Sequence, residues 1–133
     1  MNGVRAGLAL AVLLLANVVS AQPLVPVQDV SSITGKWKGP GGPGAVGNNP
    51  AVMVEQTNNP DGTYEAVVAL SSGQRVPSKG TMKAQPDGTV AYEGQTTVGV
   101  YRLYMVKGQR VIRAEAKNKT SGAASWAELT EVK

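Results

Sequence analysis

The sequence predicts an all-β domain, a single antiparallel up-and-down β-barrel of about eight short strands. Three observations lead there. From residue 33 onward, short stretches alternate apolar and polar residues, and none shows helical periodicity with a cap. The turn Pro-Asp-Gly-Thr occurs twice, at Pro60-Asp61-Gly62-Thr63 and Pro86-Asp87-Gly88-Thr89. The strands also follow one another through short connections, so sequence neighbours are expected to pair. Closure removes the unpaired edges that an open meander would leave. A β-sandwich is the other alternative, but the long crossing connections it needs are missing.

Residues 33–38 form the first strand, carrying Trp37. Residues 39–50 are rich in glycine and proline and are expected to be an irregular, mobile mouth loop. A phosphate-cradling loop is disfavoured, because no Lys-Ser/Thr pair or helix start follows. Strand 51–57 places Val52, Val54 and Gln56 on one face. In the first repeated turn, proline presets the backbone, Asp61 accepts backbone hydrogen bonds, and Gly62 is expected at positive φ. Strand 64–70 returns with Tyr64, Ala66, Val68 and Leu70 on one face.

Strand 76–84 contains Pro77 and Gly80, which predict an irregular start and a bulge. The second turn, with Gly88 at positive φ, leads into strand 90–95. Strand 98–106 alternates Tyr101, Leu103 and Met105 against Val100, Arg102 and Tyr104. Strand 110–118 sets Ile112, Ala114 and Ala116 against Val111, Arg113, Glu115 and Lys117. Residues 125–133 close the chain.

Residues 1–21 read as a secretory signal peptide: a basic start, an apolar run, and Val19-Ser20-Ala21 before the cut. The run is shorter than the roughly 20 residues of a membrane span, so no transmembrane segment is expected after cleavage. Residues 22–32, with Pro23 and Pro26, form an extended N-terminal arm, and 33–133 the barrel. The expected localisation is periplasmic or extracellular. No cysteine is present, so stability rests on core burial and sheet pairing. The net charge is +4. Its basic excess lies within 75–119 and suggests contact with an anionic surface; solubility and edge protection are the plainer reading.

Histidine is absent as well. No metal-ligand spacing occurs, and neither cofactor nor metal is expected. Glu65 and Glu93 fall on nonadjacent strands, and Ser71, Ser72 and Ser125 have no base near them in sequence. No catalytic residue is assigned and the chain is not expected to be an enzyme; a carboxylate-based hydrolase is the minor alternative. Asn118-Lys119-Thr120 matches a glycosylation acceptor by chance. Arg102 and Tyr104 alternate as in some nucleic-acid binders, but export argues against that partner.

Gly35-Lys36-Trp37 on the first strand, followed by a long mouth loop and consecutive hairpins, resembles the calycin group of lipocalins and avidins. The resemblance implies that Trp37 closes one barrel end and that a late-strand arginine packs over it. Arg110 or Arg113 fits that part by position; with Gly35 and Trp37, Arg113 is taken as the barrel-end anchor. The stretch 36–46 lacks the polar contacts with which avidins hold biotin, so no ligand residues carry over.

Tyr101, Leu103, Met105, Ile112 and Ala114 are the candidate interior and ligand-binding residues. The expected function is an exported lipocalin-like protein holding a small apolar or amphipathic ligand in or at the mouth of the barrel. The alternative is a ligand-free envelope module that acts through its surface. Oligomeric state is not legible from the sequence.

Overall fold

The computed structural model describes residues 23–133, and the expected signal segment lies outside the described residues. The strands are β1 Leu24–Val25, β2 Gly35–Pro43, β3 Val52–Asn58, β4 Thr63–Leu70, β5 Arg75–Ala84, β6 Val90–Gly94, β7 Thr97–Val106, β8 Gln109–Asn118 and β9 Ala124–Glu131. Strands β2 to β9 pair antiparallel in chain order, and β9 pairs back onto β2. The result is a closed eight-stranded antiparallel barrel with one extra strand. That extra strand, β1, continues the β7 edge where β6 stops, pairing Leu24 with Tyr104 and Val25 with Leu103. Helix among the described residues is limited to a 3-10 turn, Val30–Ile33.

The two repeated turns form with one geometry. Asp61 Oδ1 accepts from the Thr63 amide at 2.9 Å, and Asp87 Oδ1 from the Thr89 amide at 3.0 Å. Gly62 and Gly88 stand at φ 90° and 88°, the left-handed region that glycine enters without steric penalty. These hairpins share one barrel end, and the N-terminal arm lies across it. The Val27 amide donates to the Gly88 carbonyl at 2.9 Å, while Val27 and Ile33 are fully buried. This end is sealed.

Two local expectations fail. The glycine-proline run does not remain irregular: β2 continues through it to Pro43. Composition misleads here because the strand is flanked on both sides, and its glycines allow close approach. A Cβ on Gly39 would sit 1.8 Å from the Glu128 carbonyl oxygen, and one on Gly42 would sit 2.3 Å from that of Asn49. Gly80 makes no bulge either; the register runs unbroken through Tyr64, Gly80 and Gly94. Proline at position 77 is tolerated because β6 pairs only with the other half of β5.

Candidate functional site

The barrel interior divides into a solid half and a hollow half. At the sealed end Trp37, Ile33, Ile112, Leu129, Val90 and Leu103 are almost wholly buried and pack together. The Trp37 indole N–H donates to the Ile33 carbonyl at 3.0 Å, and Asn58 Nδ2 donates to the same oxygen at 3.1 Å. The arginine over the Trp37 ring is Arg110, 5.3 Å from the ring centroid. Arg110 is also held by Glu131 and by the Ser32 carbonyl. Arg113 sits elsewhere: it lies 4.7 Å over Tyr104 and pairs with Glu128. Alternation explains the difference, because Arg110 is in phase with inward Ile112 and Arg113 is out of phase.

Toward the open end the interior is not filled. A cavity of about 460 Å³ opens there, within the usual range for small-ligand sites. Its cause is an asymmetry of side-chain size. On adjacent β2, β9 and β8 the inward positions Gly41, Ala127 and Ala114 lie in register, with Pro43, Ser125 and Ala116 in the next row. This wall is built of small residues. The facing wall carries tyrosines.

Tyr92 stacks on Tyr101 at 4.1 Å between ring centroids and meets Tyr64 edge-on at 6.1 Å. Two members of this trio lie over a glycine directly opposite them in the sheet. Tyr64 faces Gly80 and Tyr92 faces Gly99, where an added Cβ would come within 2.8 Å and 2.6 Å of the respective rings. The glycines are seats for the rings.

Gln56, in phase with Val52 and Val54, joins this wall to the floor. Its Nε2 donates to Tyr101 Oη at 2.9 Å and to Asn58 Oδ1 at 2.8 Å. The Asn58 amide, fixed on Ile33, presents its oxygen and so orients the Gln56 carboxamide. Burial pushes the hydroxyls of Tyr64, Tyr92 and Tyr101 above the ordinary phenol value. They stay neutral. No Asp, Glu, Lys or Arg lines the cavity.

Of the five interior candidates, Tyr101 and Ala114 line this cavity. Leu103 and Ile112 belong to the solid core, and Met105 is 40% exposed beside Arg110, near the sealed end. Sequence reasoning passed over Gln56, Tyr64 and Tyr92 as site residues. The signal was present: a glutamine repeats in phase with two valines on β3, and a polar group on an apolar face needs a partner.

The remaining loop beside the mouth is tethered to the outer wall. The Trp126 indole donates to the Asn48 carbonyl at 2.7 Å. Trp126 lies out of phase with inward Leu129 and Ala127, so it is buried outside the barrel, beneath this loop. A broader concavity of about 840 Å³ lies on the outer wall from β2 to β5. Its charges are partly spent on one another, with Glu55 3.7 Å from Lys38 and 3.2 Å from Arg75.

The basic excess within 75–119 is partly neutralised in the same way, through Arg102–Glu115, Arg110–Glu131, Arg113–Glu128 and Lys119–Glu93. Among the described residues no acidic cluster suited to a metal occurs, and no helix is long and apolar enough to cross a membrane. No family model matches the chain, and no curated protein matches it.

Proposed function

We propose that this chain is an exported, lipocalin-like binding protein that holds a small apolar or amphipathic ligand in the open half of its barrel. The observation that carries the reading is the unfilled interior: a wall of Ala114, Ala116 and Ala127 facing Tyr64, Tyr92 and Tyr101 across about 460 Å³. A barrel whose only task is to be solid would fill this space, since each buried methylene contributes about 0.8 kcal/mol. The opposite half does fill it. Support for export comes from the basic, apolar and small-residue order of residues 1–21. The calycin-like part of the reading rests on Gly35-Lys36-Trp37, on a barrel with its strands in chain order, and on Arg110 over Trp37.

An environment-sensitive apolar dye tests it. Saturable binding to the folded protein is expected, with loss of binding in Ala116→Leu and Ala127→Leu, which extend side chains into the space while leaving the sealed half untouched. Equal binding to both variants would place the dye elsewhere and remove the reading. The competing account, a surface module with no ligand, draws on the charge pairs of the outer wall and would be favoured by a complete lack of dye binding.

A further inference from the structure

The chemistry of the cavity lining narrows what it accepts, on the premise that the cavity is a binding site. We infer that it selects an uncharged amphiphile whose polar end both gives and takes a hydrogen bond, a hydroxyl or carboxamide, seated on the Gln56–Tyr101 floor with its apolar body along the alanine wall.

Three observations carry this. First, the lining holds no ionisable group except tyrosine, and burial keeps those tyrosines protonated. A carboxylate or ammonium drawn inside would lose its water and meet no counter-charge. The arginines and lysines nearest in sequence are turned outward, as Arg102, Arg113 and Lys119 show by pairing with Glu115, Glu128 and Glu93 on the outer surface.

Second, the floor has hydrogen-bonding capacity left over. Tyr101 Oη accepts from Gln56 Nε2, and its own proton finds no acceptor among the described residues. Gln56 spends its amide N–H groups on Tyr101 and Asn58. Its Oε1 receives no hydrogen bond from the described residues, yet the one buried side-chain polar atom without a partner among them is Thr34 Oγ1. Gln56 Oε1 therefore faces open space. One unused donor and one unused acceptor stand on groups that already hold each other in place.

Third, Gln56 lies deeper than the apolar wall: it pairs with Trp37 of the sealed end, and Tyr101, in register with Ala114, reaches it through its hydroxyl. In β8 and β9, Leu129 and Ile112 pair below, Ala127 and Ala114 above them, and Ser125 and Ala116 nearest the mouth. A polar head has to go in first, and the apolar part then contacts the alanines.

The test compares probes of one chain length: 1-decanol, decanamide, decanoate and decylammonium, each displacing the apolar dye from the full folded chain at pH 7. The expected result is that the two neutral probes bind at least about 10-fold more tightly than either ion, because an unpaired ion must be desolvated. Tyr101→Phe should weaken decanol by about 5-fold, the worth of one hydrogen bond.

Should Tyr101→Phe prove unstable, Gln56→Leu provides a second removal of the floor, with the same expectation. Decanoate binding as tightly as decanol would overturn the selectivity while leaving the cavity reading in place. Decanol affinity indifferent to both floor variants would overturn the head-first pose and the inference with it. Failure of the dye and of all four probes would remove both the selectivity and the binding site.

Discussion

Replacing Trp37 with alanine removes the largest side chain at the sealed end, and its effect can be worked through from its surroundings. The ring is 1% exposed. Its indole N–H is one of two donors to the Ile33 carbonyl, the other being Asn58 Nδ2. That oxygen therefore keeps a partner after truncation. Arg110 likewise keeps Glu131 and the Ser32 carbonyl. No buried polar group is orphaned, so the loss is that of apolar burial plus the cavity left behind, roughly 3–5 kcal/mol.

A domain of this size has a total stability of about 5–15 kcal/mol, and the change corresponds to a fall in Tm of roughly 10–25 °C. Thermal and urea melts of wild type and Trp37→Ala measure it. A change in Tm of only a few degrees would refute the argument that this ring seals the barrel.

Two further expectations concern the turns and the tyrosines. Gly62→Val and Gly88→Val should each destabilise by at least about 1–2 kcal/mol, because a side chain at positive φ is strained. Each new Cβ would also meet a backbone atom at 3.1 Å, the Met82 carbonyl oxygen at position 62 and Pro26 Cα at position 88, so the two changes should cost similar amounts; urea melts of both variants check this.

Tyr64, Tyr92 and Tyr101 have their ionisation raised by burial. The stability tied to them is complete below the unfolded value of about 10. It falls as pH rises above that value, where the unfolded chain ionises and the folded one resists. Folded protein should thus show less tyrosinate absorbance than urea-unfolded protein at pH about 10.5. Coincident titration curves would contradict the burial of the trio.

Strand order and the paired turns were legible because they depend on local chemistry: alternation of period two, proline before aspartate, and glycine where φ is positive. What escaped depends on who lies next to whom. Residues 39–43 read as loop by composition, but β9 approaches Gly39 and Gly41, and the Asn49 backbone approaches Gly42, so closely that glycine is required there in a strand. The alanines at 114, 116 and 127 look like filler one strand at a time. They become a cavity wall only when β8, β9 and β2 stand together, and the β2–β9 pair joins the two ends of the barrel sequence.

Arg110 was closer to reach, since its phase with Ile112 and Ala114 already pointed inward. Trp126 was not. Its outward side chain is buried by a loop that is remote in sequence and tethered through Asn48.

The central claim is that the open half of the barrel holds a ligand. Native mass spectrometry of the full chain, isolated without detergent from the cells that make it, tests this most directly. The account predicts a bound neutral molecule as a discrete added mass, released on unfolding and absent from Ala116→Leu prepared the same way. Bare protein in both preparations, with no saturable uptake of decanol by the wild type, would contradict it.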